Sequence, residues 1–214
     1  GAKVWDLSGP IEENKDYLNV VSAIDALKNQ NVVANDIPIV LMGGSNGGAF
    51  ASAVSTGIAA DALILHISRG LELAFKAPQT PPPTAWLVAR QDDTVTFDTT
   101  ELNLPAIKSA EVPYLFIINE PTPLAPTSLT RIPGLTEVQS TAFFDAMGTG
   151  GLLDACSMQL TNPDDEDAWL AFLANGKPEV VEQVRHQLLE LHAGHTIFSD
   201  FNKKLLAFLD MHVK

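Results

Sequence analysis

Cysteine is almost missing from this chain of 214 residues: Cys156 stands alone, so no intrachain disulfide can staple the fold. The five histidines are scattered, and with one cysteine they give no metal-ligand spacing, so no metal site is expected; the serine chemistry reached below needs no cofactor. Basic residues are scarce: 13 Lys and Arg face 26 Asp and Glu, for a formal net charge of -13. Such a surface argues against nucleic acid and against anionic membranes, without identifying a substrate. No apolar run approaches bilayer length. No basic-then-apolar N-terminal segment reads as a signal peptide. A plastid or secretory leader could have been removed from the numbered chain, so the compartment stays open. There is no internal repeat and no long low-complexity tract. With 46% hydrophobic and 18% charged residues, the composition suits one globular domain with a full core.

What the chain does have is the stretch Pro38-Ile39-Val40-Leu41-Met42-Gly43-Gly44-Ser45-Asn46-Gly47-Gly48-Ala49-Phe50. It reads as an apolar strand, then Gly-x-Ser-x-Gly, then the start of a helix. A serine hydroxyl is a weak nucleophile, and a sharp strand-to-helix turn lifts it into the open at the cost of backbone strain. Gly43 and Gly47 sit two residues either side of Ser45, where a Cβ is expected to collide. The helix N-terminus then aims N–H groups at charge developing beside the serine.

The rest of the chain alternates strands with helices. Leu18, Val21, Ile24 and Leu27 recur every three residues, with Tyr17 and Val20 beside them, and predict a packed helix over 16–27. After the elbow, small residues predict a helix from Gly47 to about Thr56. Ala62-Leu63-Ile64-Leu65-His66-Ile67 and Thr84-Ala85-Trp86-Leu87-Val88-Ala89 read as buried strands, and Tyr114 to Ile118 as another. A helix is expected over 100–110, interrupted at Pro105. Beyond the proline-rich connector 121–126 the pattern turns helical. Thr136 caps a helix that Gly148 ends, an acidic loop at 162–167 precedes a helix bearing Trp169, Leu170, Phe172 and Leu173, and Pro178 opens another through Leu191. A last helix runs from Phe198 to Met211.

A serine nucleophile needs a base and a group to orient it, and in the elbow fold these follow in the order serine, acid, histidine. Asp92 closes the strand ending at Ala89 and is the preferred acid, with Asp93 next to it as runner-up. His195 follows Gly194, which allows a tight turn, and precedes the last helix. It is the preferred base, and His192 is the alternative. His66, His186 and His212 read as ordinary core or helix residues.

With these residues in place, the sequence resembles the α/β-hydrolase superfamily from the helix before the elbow to the C-terminus. Several segments are similar to a largely uncharacterised plant and algal group within it: Gly43 to Phe50, Pro82-Pro83-Thr84, Arg131-Ile132-Pro133-Gly134, Gly151-Leu152-Leu153-Asp154 and Ala193-Gly194-His195. The resemblance implies an α/β fold, a mostly parallel sheet with helices on both faces. It implies a core at 1–120, a helical insertion or cap at 121–191, and a histidine loop with terminal core helix at 192–214. It implies a serine hydrolase of carboxylesterase type with Ser45 as nucleophile, Asp92 as acid and His195 as base. Asn46 would give one oxyanion N–H, and the substrate would be a small ester. Such folds carry earlier strands and a His-Gly loop that gives a second oxyanion donor, and no such loop is found here. The expectation is therefore an N-terminally truncated fold, whose sheet edge a partner chain could cover. The alternative is a catalytically impaired hydrolase-like subunit that binds or scaffolds.

Overall fold

The apolar runs of the sequence become the strands of a parallel sheet. The computed structural model describes residues 5, 7, 9–76, 80–163, 165–171, 178–199 and 201–213. In chain order the elements are α1 (Lys15–Asn29), β1 (Val40–Gly44), α2 (Asn46–Val54), β2 (Ala62–His66), β3 (Thr84–Ala89), α3 (Phe97–Glu101), α4 (Leu104–Ser109), β4 (Tyr114–Asn119), α5 (Glu137–Thr149), α6 (Glu166–Leu170), α7 (Pro178–His192) and α8 (Asn202–His212). By its internal contacts the chain divides into two units. The first holds residues 1–88, 95–118 and 199–214; the second holds 89–94 and 119–198.

The first unit is built on the sheet, whose strand order is β1-β2-β3-β4. β1 pairs parallel to β2 with Val40 opposite Ala62 and Gly44 opposite His66. β2 pairs parallel to β3 with Leu63 opposite Thr84. Every residue of β2 and β3 is buried, as continuous aliphatic runs require when both faces are covered. Among the described residues β1 and β4 are the edges and are partly exposed; Met42 is 54% exposed. Leu63, Leu65, Trp86, Val88 and Ile107 form one core with Ala51 of α2. Small residues let α2 lie close: Gly48, Ala51, Ser52, Ala53 and Val54 are all buried. The Ser52 hydroxyl accepts the Leu71 N–H at 2.6 Å, tying α2 to the segment that leads toward β3.

Three local expectations for this unit change. The buried residue of α1 is Tyr17, while Leu18 (48%) and Leu27 (44%) are exposed, so the three-residue spacing misplaces the packing stripe by about one residue. The Tyr17 hydroxyl donates to the Gly57 carbonyl at 2.9 Å, and its ring fills the space a Cβ at Gly57 would take. The helix expected over 100–110 is two short ones, α3 and α4. Pro105 sits in the first turn of α4, where its missing N–H costs nothing. The last helix starts at Asn202 rather than Phe198.

The second unit has its own core of Leu124, Leu129, Phe143, Met147, Val184, Leu188 and Leu191, among others. Thr136 caps α5 through a reciprocal capping box with Gln139. Gly148 lies inside α5 instead of ending it, and Gly150 is the C-cap. The Asp165 carboxylate accepts the Ala168 N–H at 3.2 Å and caps α6, so this part of the acidic loop is a helix start. Phe172 and Leu173, expected on that helix, lie outside the described residues, as do residues 1–4.

His66 ends β2 fully buried, with its ring edge-on to Phe201 at 5.0 Å between centroids. Burial lowers its pKa from 6.5 to about 4, so the fold holds the neutral imidazole. Between those two values the unfolded chain takes up a proton that the native chain does not. Stability is therefore full above pH 6.5 and falls as the pH drops toward 4, by about 3 kcal/mol for this group. Urea denaturation at pH 7.5 and pH 5 should show the fall, and His66→Leu should flatten it.

Candidate active site

Ser45 sits where β1 turns into α2, with φ 50 and ψ -124. A non-glycine residue at positive φ is strained, and it holds this geometry only because its surroundings fix it. The Ser45 N–H donates to the His66 carbonyl at 2.9 Å, which pins the elbow to the end of β2. The Ser45 carbonyl accepts the Gly48 N–H at 2.9 Å and so begins α2. The N–H groups of Asn46 and Gly47 precede the first intrahelical bond and belong to the donor-bearing end of that helix.

Two glycines make this turn, and they are not the pair expected. A Cβ at Gly43 would overlap the Gly47 carbonyl and come within 2.6 Å of the Gly48 nitrogen. At Gly47 the expected collision does not occur, because nothing lies within 4 Å of a Cβ built there. Its backbone, not an absent side chain, makes the close approach. The second residue without room is Gly48, whose Cβ would overlap the Ser68 side chain and sit 3.0 Å from the Gly43 carbonyl. Ser68 follows Ile67, a β-branched residue at φ 44. Strained residues thus stand just past the ends of both β1 and β2, beside one another.

The acid and the histidine meet in the second unit. Asp92 Oδ2 lies 2.8 Å from His195 Nδ1, and Asp92 Oδ1 accepts the Thr94 N–H at 2.9 Å. An ionised carboxylate only accepts, so Nδ1–H donates and Nε2 is the basic nitrogen. The Asp92 side chain is 1% exposed and that of His195 is 25% exposed. Asp93 is exposed and takes the Thr94 hydroxyl at 3.3 Å, so Asp92 is the acid that faces His195.

Backbone bonds hold both loops. The Gln91 N–H donates to the Ala193 carbonyl at 2.9 Å, directly beside the Asp92–His195 pair. The Arg90 N–H donates to the Asn119 carbonyl at 3.0 Å, and the Asn119 side chain donates to the Glu190 carbonyl at 2.8 Å. The end of α7 closes with Ala193 N–H to Glu190 and Gly194 N–H to Leu189, both at 3.1 Å, as in a Schellman turn. The left-handed residue of that turn is Ala193, at φ 58, and not Gly194. The expected role of Gly194 thus passes to its neighbour. A Cβ at Gly194 would meet nothing nearer than 3.5 Å.

The first unit is thus an α/β fold, a parallel sheet with helices and a serine elbow leaving β1. No family model matches the chain, and no curated protein does. Among solved structures, it is similar to a puromycin-hydrolyzing peptidase of Mycobacterium tuberculosis at 20% identity and a TM-score of 0.40, over 49% of this chain and 21% of that one. It is similar to MGS-M1, an alpha/beta hydrolase enzyme from a Medee basin deep-sea metagenome library, at 17% identity and a TM-score of 0.41, over 62% of each chain. Arabidopsis thaliana SOBER1 matches at 17% identity and a TM-score of 0.36, over 64% of this chain and 65% of that one. The chain therefore spans about a fifth of the first and about three fifths of the second.

The glycine geometry makes a direct prediction. Gly43→Ala should destabilise the fold by about 3 kcal/mol or more, since backbone must move. Gly47→Ala should be neutral or stabilise by up to about 1 kcal/mol, because alanine favours a helix over glycine. Urea midpoints of the two variants measure this.

Proposed function

We propose that the protein is a serine hydrolase of carboxylesterase type. The observation that carries the reading is the buried Asp92 carboxylate 2.8 Å from His195 Nδ1, in a fold that also presents Ser45 on a strained elbow. His195 Nε2 takes the Ser45 Oγ proton as Oγ attacks the ester carbonyl carbon. Asp92 fixes the ring and stabilises its charged form. The Asn46 N–H holds the oxyanion. The tetrahedral intermediate expels the alcohol, which takes the proton from His195. Water, deprotonated by the same nitrogen, then attacks the acyl-serine, and the acid leaves as Ser45 regains its proton. No cofactor takes part.

A second reading has its own observation. β1 is a partly exposed edge with Val40 and Met42 uncovered among the described residues. This favours a hydrolase-like subunit whose sheet a partner chain extends.

Intact mass after a fluorophosphonate probe separates the two. One adduct on Ser45, lost in His195→Ala, is the result the hydrolase reading requires. No adduct on folded chain would reject it in favour of the partner reading. Asp92→Asn should lower the labelling rate and kcat by about a thousandfold or more. Asp93→Asn should change either by less than about threefold, since its carboxylate is exposed and does not face His195.

A further inference from the structure

A cavity of about 690 Å³, within the range of small-molecule sites, opens in the second unit. Among the described residues its lining comes from two segments. Arg131, Ile132 and Pro133 belong to the turn before α5, and Glu182, His186 and Gln187 to α7. Neither segment is loose. Ile132 is part of the core of this unit. Its N–H donates to the Leu129 carbonyl and its carbonyl accepts the Leu135 N–H, both at 3.1 Å. On α7, Val184, Leu188 and Leu191 pack in the same core, while Glu182 and His186 lie one turn apart on another stripe.

Two donors of this lining serve no bond of the fold. Gln187 is 9% exposed, yet its Nε2 has no hydrogen-bond partner. Buried side-chain donors are normally paired, and one left without an acceptor opposes folding. A leucine at this point of α7 would not carry that cost. Arg131 is exposed and makes no hydrogen bond or ion pair among the described residues. No step of the ester mechanism uses either group.

We infer that this cavity binds a small monocarboxylate, with Arg131 facing its charge and the Gln187 amide donating to one of its oxygens. A chain of net charge -13 disfavours anions in general, so an anion needs a local set of donors such as this one. The guanidinium fork fits a carboxylate, and Ile132 and Pro133 give the rest of the ligand an apolar contact. Glu182 sets the limit, because its carboxylate stands in the same lining and would meet a second negative charge. A dianion or a phosphate is therefore disfavoured. His186 joins the cavity to the histidine loop, since its Nδ1 lies 3.0 Å from the hydroxyl of Thr196, the residue after His195.

The test is an NMR titration of the full chain with hexanoate, and with hexanamide as its neutral counterpart, read at the His186 ring. Hexanoate should shift the ring and bind about tenfold or more tighter than hexanamide. Arg131→Gln should weaken hexanoate by about tenfold or more and leave hexanamide within about threefold, which also shows that the variant is folded. Gln187→Leu removes the donor and keeps the bulk. It should weaken hexanoate and hexanamide alike while leaving or raising the urea midpoint, whereas an amide with a purely structural role would lower the midpoint and leave binding unchanged. The inference is overturned if millimolar hexanoate does not shift the ring, if hexanoate and hexanamide bind equally, or if either folded variant binds hexanoate as the natural chain does. Should Gln187→Leu not fold, the natural chain and Arg131→Gln decide the matter.

Discussion

A Cβ on Gly43 would occupy the space taken by the Gly47 carbonyl, so the end of β1 and the start of α2 touch backbone to backbone. That contact leaves the chain one way through Ser45, at positive φ. The strain, of order 1–3 kcal/mol for such a residue, is opposed by the bonds around it. Ser45 N–H to His66 anchors the strand side, and Gly48 N–H to the Ser45 carbonyl anchors the helix side. The packing of Gly48 on Ser68 sets how close α2 can come to the loop after β2. Removing the room at Gly43 would disturb each of these together, because all of them assume the same turn.

The acid and the histidine depend on a different device. Neither stands on an isolated loop: the segment after β3, the end of β4 and the end of α7 are laced by backbone and Asn119 side-chain bonds. Asp92 uses one oxygen to turn its own loop and the other to hold His195. With both oxygens engaged and almost no exposure, the carboxylate has little freedom to rotate away. This is the rigid support that a positioned imidazole needs.

Much of this was legible in the residues. The aliphatic runs of β2 and β3 are unambiguous because both of their faces are covered, and Thr136 announces the start of α5. Glycine choices were less legible, since a pattern marks where a turn occurs but not which Cβ direction is blocked. Hence Gly48 holds a place assigned to Gly47, and Ala193 takes the left-handed position assigned to Gly194. The doubled glycine after Asn46 was the available signal for the first. Nothing in the sequence marks an alanine as left-handed, and its geometry follows from the Schellman closure of α7. Gly148 misled for the opposite reason: α5 runs through it, and propensity yields to tertiary packing. Leu18 and Leu27 misled because the helix repeats every 3.6 residues, so a stripe read every three drifts off the buried face.

The Asp92–His195 bond joins residues 103 apart along the chain. Closing a flexible loop of that length costs about 4 kcal/mol in chain entropy, so the bond cannot form on its own. It has to wait until β3 and α7 are both in place and the intervening helices have packed. During refolding, the pairing of this acid with this histidine is therefore a late event. A partly folded chain, even one with its sheet and serine elbow complete, would lack this bond. Such a delay makes the appearance of the Asp92–His195 pair a report on the completion of folding rather than on its start.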